Sequence, residues 1–133
     1  MEINKEIEEF GKKLVHVSRD YTISLLLKDI KNCDTYPESV AKFLENLNKE
    51  QLLILKYLLV SCIDTAFHDT LWSIESYSNH KLFIKTEDCF IDVDHETDSL
   101  TGSALEFIDR YSKYNTPEDI LKTGEIEKKQ EEE

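Results

Sequence analysis

The sequence predicts an α+β fold that is mostly helical: a helical bundle around a long central apolar helix (about 49–76), with one β-hairpin (about 82–94) and two short C-terminal helices. The 133 residues include only three glycines and two prolines, which is too few turn residues for a many-stranded sheet. Apolar residues recur at helical spacing along most of the chain, and they alternate only near residues 82–94. Together, these observations favour helices with a single hairpin.

The N-terminal third of the sequence predicts helices, and no Gly or Pro marks the end of the first one. A first helix over about residues 5–19 is indicated by apolar residues at helical spacing: Ile7, Phe10, Leu14, Val17 and Tyr21. A second apolar group at residues 23–30 follows without Gly or Pro, so this helix either continues or bends near Ser18–Thr22. Pro37, followed by Glu38, begins a short helix that ends at about Leu47.

The longest predicted helix runs from Lys49 to about Ser76. Asn48 and Gln51 have the spacing of a capping box, in which each side chain accepts a hydrogen bond from the other residue's backbone N–H. Apolar residues surround nearly the whole girth of the first half of this helix. A helix that is apolar all round is expected at the buried centre of a bundle.

The C-terminal half predicts one hairpin and two more helices. The strands are Leu82–Lys85 and Cys89–Asp94, with Cys89, Ile91 and Val93 on one face of the second strand. The capping box of Ser103 and Glu106 predicts the start of one helix. Thr116-Pro117 predicts the start of a short last helix, which ends at Gly124. We therefore expect a single domain over residues 1–124 and a disordered acidic tail over 125–133.

Cysteine content and hydropathy favour a cytoplasmic protein. The N-terminus, Met1–Phe10, is charged and has no apolar signal core. The best apolar run, Gln51–Ile63, is interrupted by Lys56 and is short for a membrane span. The cysteines are odd in number, far apart and without a C-x-x-C pair, which predicts buried, reduced thiols: Cys33, Cys62 and Cys89.

The charge is strongly acidic and unevenly distributed. The net charge is -12; residues 1–66 contribute -2 and residues 67–133 contribute -10. An acidic surface repels nucleic-acid phosphates and anionic lipid, so we expect neither direct nucleic-acid binding nor membrane binding. The same surface attracts basic proteins.

The acidity is densest beside the predicted hairpin. Six carboxylates lie within twelve residues that contain no Lys or Arg: Glu87, Asp88, Asp92, Asp94, Glu96 and Asp98. Such a cluster predicts a docking surface for a basic protein partner, whose approach it would speed and orient. The alternative is an edge strand that charge merely protects from aggregation. A calcium loop starting at Asp92 would need Gly and Glu where Thr97 and Ser103 stand, so no calcium site is predicted, and no metal or cofactor is assigned.

The long helix contains a second candidate constellation. Asp64 and His68 are four residues apart and share a face with Glu75, so they are candidates for metal binding or proton transfer. The alternative is that Asp64 only orients His68. The dipeptide His68-Asp69 resembles that of HD-type metal phosphohydrolases. This resemblance implies that His16 and Asp109 of this sequence complete the set of metal ligands. The residues after the dipeptide, 70–72, depart from that family's pattern.

Three functional hypotheses follow from the sequence. The first is a non-enzymatic domain that docks a basic protein through the acidic segment, in the manner of immunity proteins, antitoxins and inhibitors of similar size and charge. The second is a metal-dependent hydrolase that uses Asp64, His68 and Asp69. The third is a structural or regulatory subunit that associates through an apolar patch. The patterns of Gly-rich phosphate loops and nucleophile elbows are absent from the sequence, so no catalytic residue is assigned.

Overall fold

The structure, a computed structural model, describes residues 3–76, 79–97 and 99–129. It confirms the predicted fold class, with helices throughout and one antiparallel hairpin. The long apolar helix has the predicted bounds. In chain order, the elements are α1 Ile3–Leu14, α2 Tyr21–Lys31, α3 Glu38–Glu45, α4 Lys49–Ser76, β1 Phe83–Lys85, β2 Phe90–Asp92, α5 Val93–Thr97, α6 Leu100–Tyr111 and α7 Pro117–Thr123.

A π-helical segment, Val15–Asp20, joins α1 to α2. The sequence predicts either a continuous helix or a bend near Ser18–Thr22, and the π turn lies at this place. A π turn shifts the hydrogen-bond ladder by one residue and is often found at functional or strained positions. This segment buries two consecutive charged side chains, Arg19 and Asp20, and no pattern in the sequence indicated their burial.

Local capping explains where α4 and α7 begin. The Gln51 N–H donates to Asn48 Oδ1 at 2.8 Å, and the Asn48 N–H donates to Gln51 Oε1 at 3.0 Å, which confirms the predicted capping box. At α7, the Asp119 N–H donates to Thr116 Oγ1. Gly124 ends α7 with φ +73°, in the left-handed region that favours glycine.

The predicted start of α6 at Ser103 is wrong. The helix begins one turn earlier, at Leu100, and its cap is Ser99, whose hydroxyl accepts the Gly102 N–H at 3.0 Å. Leu100 is completely buried, so extending the helix by one turn places an additional large apolar side chain in the core. Tertiary packing therefore selects Ser99 over the later capping pattern of Ser103 and Glu106.

The hairpin is shorter than predicted. Its register pairs Phe83 with Asp92, Ile84 with Ile91 and Lys85 with Phe90. The second strand was predicted to continue to Asp94, but it ends at Asp92, and α5 begins at Val93. Asp92 Oδ1 accepts the His95 N–H at 3.4 Å, which satisfies one of the free donors in the first turn of that helix.

The chain divides into two compact units. The first comprises residues up to Arg19 together with Asp64–Ser112. Its core takes buried side chains from α1, the π-helical segment, α4, the hairpin, α5 and α6: Ile7, Val15, Phe67, Leu71, Ile91, Val93, Leu100, Ala104, Phe107 and Ile108. Gly11 of α1 faces Phe107 of α6 so closely that a Cβ atom there would overlap the ring.

The second unit comprises Asp20–Ile63 and the chain from Lys113 onward. Its core is small and consists of Ile23, Val60, Tyr114 and Ile120. The expectation that α4 is buried all round is wrong, because Ile54 and Leu58 of this unit are exposed. The apolar girth of α4 identified a helix correctly, but it did not determine how much of that helix is covered.

Part of the predicted tail forms backbone hydrogen bonds in the structure. The Asn115 N–H donates to the Ile126 carbonyl at 2.8 Å, and the Lys128 N–H donates to the Lys113 carbonyl at 2.9 Å. These bonds accompany an antiparallel bridge between Tyr114 and Glu127. Residues 130–133 lie outside the described residues, and the single-domain boundary at residue 124 stays a prediction.

Candidate functional site

The acidic segment is divided between the two ends of the hairpin. Glu87 and Asp88 lie exposed in the turn between the strands, whereas Asp94 and Glu96 lie in α5, beyond the far end of β2. At about 3.3 Å per residue, β2 separates the two groups by roughly 10 Å, which exceeds the screening length of about 8 Å at cellular salt. Asp98 lies outside the described residues. The turn therefore presents two exposed carboxylates as a group separate from those of α5.

Asp92 is partly neutralised within its own unit. Lys81 Nζ lies 3.2 Å from Asp92 Oδ2. The hydrogen bond from Lys81 is the main reason why the pKa of Asp92 is lowered, and the His95 N–H adds to the effect. The predicted docking residue Asp92 therefore helps to hold the hairpin and α5 together, and it contributes less free charge than Glu87 and Asp88.

Hydrogen bonds within the turn hold Glu87 and Asp88 in place. Thr86 Oγ1 accepts the Cys89 N–H at 3.0 Å and the Asp88 N–H at 3.3 Å. The Thr86 N–H donates to the Cys89 carbonyl at 2.9 Å. Because a threonine side chain that bonds the backbone two and three residues on stabilises a turn, the two acidic side chains are presented on an ordered loop.

Two aromatic residues occupy the outer face of the hairpin. The exposed fraction is 68% for Phe90 and 49% for Phe83, whereas Ile91 on the opposite face is buried. In the observed register Phe83 lies opposite Asp92 and Phe90 lies opposite Lys85, so each ring has a charged cross-strand neighbour. Sequence reasoning selected the charges and missed these rings, although the period-2 alternation of the strand placed Phe90 opposite the core face.

The candidate constellation on α4 does not form as predicted. The Asp64 carboxylate accepts two hydrogen bonds from the Arg19 guanidinium, from Nε at 2.6 Å and from Nη2 at 3.2 Å. Arg19 Nη1 also donates to Ser112 Oγ at 2.6 Å. The prediction that Asp64 orients His68 is wrong: His68 Nδ1 instead lies 3.2 Å from Asp69 Oδ1. A buried arginine can satisfy Asp64 bidentately, which an exposed histidine one turn away cannot do.

Glu75 also has a structural partner. It accepts hydrogen bonds from the hydroxyl and the backbone N–H of Thr101, in the first turn of α6. The hydroxyl bond is the largest cause of the lowered pKa of Glu75, while desolvation acts in the opposite direction. A carboxylate at the start of a helix also interacts favourably with the free backbone donors there. Glu75 therefore joins α4 to α6.

The hydrolase hypothesis loses its predicted ligand set. His68 and Asp69 remain on an open surface depression that they share with Trp72 and Ser73 of the same helix. Within residues 3–76, 79–97 and 99–129, a single group of three metal-type side chains has ligand atoms within 4.8 Å of one another, and it consists of Cys33, Asp34 and Glu45. This group contains none of the residues that the sequence selected: His16, Asp64, His68, Asp69, Glu75 and Asp109.

The cysteines agree only in part with the prediction. All three are free thiols, and Cys33 and Cys89 are half-buried. The prediction of a buried Cys62 is wrong, because this side chain is exposed on α4. Burial is the largest cause of a raised pKa at Cys33, followed by the negative charges of Glu45 and Asp34, so this thiol resists ionisation.

The apolar character of α4 extends beyond Gln51–Ile63, the best apolar run in the sequence. By length and composition, Lys49–Ser76 meets the criteria for a helix that can cross a membrane, and only 11% of its most apolar 18-residue window is buried. Soluble core helices pass the same test when they are covered by the rest of the protein. The distinctive feature of α4 is therefore its apolar side chains that remain exposed.

Comparison with known proteins does not add to this description, because no family model, curated protein or solved structure matches the chain.

Proposed function

We propose that this chain is a non-enzymatic, acidic protein-binding domain that docks a basic protein partner through its hairpin. The observation that carries the proposal is the exposure of Phe83 and Phe90 on the outer face of the hairpin, next to the exposed acidic turn. Aromatic side chains surrounded by charged residues are typical of the centre and rim of a protein interface. A purely solubilising edge strand gains nothing from two exposed rings.

The charge of the first unit supports a basic partner. This unit contains 15 acidic and 7 basic residues, so its net charge is -8 out of the -12 of the chain. A field of this sign accelerates the approach of a basic surface, and the contact with the rings then slows dissociation. The specific form that we propose is an immunity-type or inhibitor-type protein in the cytoplasm, where three free thiols remain reduced.

A metal-dependent hydrolase is less well supported by the geometry. Asp64 is bound to Arg19, and Glu75 is bound to Thr101. Removing either carboxylate from its partner in order to bind a metal would break a buried or half-buried contact. His68 and Asp69 alone supply two ligands on an open surface, fewer than the three protein ligands that catalytic metal sites usually have.

The proposal is tested by comparing two charge variants of equal magnitude. One variant carries Glu87→Lys and Asp88→Lys in the turn, and the control carries Glu125→Lys and Glu127→Lys; each changes the net charge from -12 to -8. Immobilised wild-type protein and both variants are incubated with an extract of the native host at low and high salt. We expect a basic protein to be retained by the wild type and the control, released by high salt and lost from the turn variant.

A second variant separates the rings from the charges. Phe90→Ala should increase the dissociation rate of the captured partner by about tenfold or more, since buried aromatic residues contribute strongly to binding. The association rate should keep its dependence on salt, because Phe90→Ala leaves the negative charge of the first unit unchanged. The proposal is wrong if the turn variant and Phe90→Ala both bind the partner as the wild type does.

A further inference from the structure

The second unit leaves most of its large apolar side chains in contact with solvent. On α2, α3 and the part of α4 up to Ile63, the only buried side chains are Ile23 and Val60. Large side chains on the same helices are exposed: Tyr21, Leu25, Val40, Phe43, Ile54 and Leu58. A helical layer that buries so little of its own apolar surface is normally covered by a further layer.

The outer side of α4 in this unit is an uncharged stripe. Ile54, Leu58 and Cys62 follow one another at intervals of four residues, and all three are exposed. Lys56 is the one charged residue between Gln51 and Cys62, and it lies on the opposite side of the helix, where it lines an apolar cleft with α2. The stripe therefore offers about two and a half turns of helix with no charge to keep it hydrated.

The charge of this surface determines which occupant fits it. Residues 20–63 contain six acidic and five basic residues, which gives a net charge of -1. A basic partner finds little attraction here, in contrast to the first unit. Two copies of this chain can meet across the same surface without the repulsion that would oppose contact between their acidic units.

We infer that the stripe of Ile54, Leu58 and Cys62 is the contact between two copies of this chain. In a two-fold symmetric contact, the middle of a self-complementary patch meets its own copy. Two α4 helices that cross antiparallel at Leu58 bring the Ile54 of each copy near the Cys62 of the other. Because α2 lies against the opposite side of α4, this contact consists of the two α4 helices.

The area of the exposed apolar surface limits the expected affinity of the dimer. The six exposed apolar side chains of α2, α3 and this part of α4 present roughly 600 Å² if each contributes roughly 100 Å². The stripe on α4 supplies less than half of that area, below the roughly 800 Å² per partner of a standard stable interface. We therefore expect a dimer that dissociates in the micromolar range.

A membrane is the other possible occupant, and the contacts of α4 argue against it. Asp64 lies within the same helix and is held by Arg19, which is fully buried. Insertion of α4 into a bilayer would either separate these charges or bring both into hydrocarbon, and each outcome is unfavourable. The chain also has a net charge of -12, which disfavours binding to anionic membranes.

Sedimentation of the full chain tests the inference independently of the hairpin. The wild type should change from the 15.6 kDa monomer to twice that mass as its concentration rises through the micromolar range. Leu58→Glu should weaken this association at least tenfold by placing two carboxylates at the contact. The control is Leu105→Glu on α6 of the first unit, where the leucine is also exposed, and this variant should dimerise as the wild type does.

A charge-swap experiment distinguishes a lost contact from a misfolded variant, because only two folded variants can restore association. Leu58→Lys alone should also be monomeric, and an equal mixture of Leu58→Glu and Leu58→Lys should form heterodimers, because position 58 of one copy faces position 58 of the other. Circular dichroism checks that each variant keeps its helices. A wild type that stays monomeric through the micromolar range overturns the inference, and so does a mixture of two folded variants that fails to associate. Flotation of that monomer with phosphatidylcholine vesicles would assign the stripe to a membrane instead.

Discussion

Loss of the Asp64 carboxylate should destabilise the first unit more than any surface charge change. Asp64 accepts two hydrogen bonds from Arg19, whose side chain is 0% exposed, while Asp64 itself is 22% exposed. Asp64→Ala leaves the buried guanidinium with its bond to Ser112 but without its bidentate partner. Removing one member of a buried ion pair costs about 3–5 kcal/mol, and the remaining Ser112 contact places our expectation at about 3 kcal/mol.

Substitution of Arg19 should destabilise the protein less than substitution of Asp64, because the two partners differ in exposure. Arg19→Met leaves a carboxylate that water can reach, so we expect a loss of about 1–2 kcal/mol. The double variant Arg19→Met with Asp64→Leu removes both charges and should recover most of the loss, as apolar replacement of buried ion pairs often does. This order of stabilities distinguishes a buried ion pair from a general packing defect.

Urea unfolding at neutral pH measures these differences. Far-UV circular dichroism follows the helices, and the fluorescence of Trp72, the one tryptophan of the chain, reports on the first unit. The control is Glu8→Gln, which removes an exposed ion pair with Arg110 and should change stability by less than about 1 kcal/mol. If Asp64→Ala is no more destabilising than this control, the buried ion pair does not have the role that we assign to it.

Two further predictions concern the first unit. Gly11→Ala should lower the melting temperature, because overlap of the new Cβ with the Phe107 ring costs about 1–3 kcal/mol and outweighs the gain of about 1 kcal/mol in helix propensity; a higher melting temperature would show that the helices separate easily. The hydrogen bond from Thr101 lowers the pKa of Glu75 in the folded protein. This bond therefore contributes its full stability above pH about 4.3, the pKa of a glutamate in the unfolded chain. The contribution is lost as the pH falls through the lower pKa of the folded protein. Thr101→Val should therefore lose less stability than the wild type between pH 5 and pH 2 in urea titrations, and an equal loss in both proteins would contradict this assignment.

The elements that sequence reasoning predicted well are those with local causes. The capping box of Asn48 and Gln51 and the pair of Thr116 and Gly124 act within one turn of helix, so they can be read directly from neighbouring residues. The start of α6 was misplaced because two serines compete as caps. Burial of Leu100 favours the earlier one, and that preference depends on residues far away in the chain.

The candidate site was predicted only in part. The acidic segment was visible as composition, and the structure shows that the turn presents Glu87 and Asp88 while Asp92 is held by Lys81. The exposed rings of Phe83 and Phe90 depend on the pairing of the two strands and on which face packs on the helices. A sequence pattern gives the alternation of faces, but it does not show which aromatic residues remain uncovered.

The sequence by itself determined that this protein is mostly helical, where α4 begins and ends, and that its acidity is concentrated beside a hairpin. These properties follow from periodicity, capping and charge, which act over a few residues. The tertiary structure alone decided that Asp64 binds Arg19 rather than His68, and that Ile54, Leu58 and Cys62 remain exposed on a helix that is apolar all round. The physical reason is that pairing and burial depend on which distant segments come together, and local patterns do not determine that.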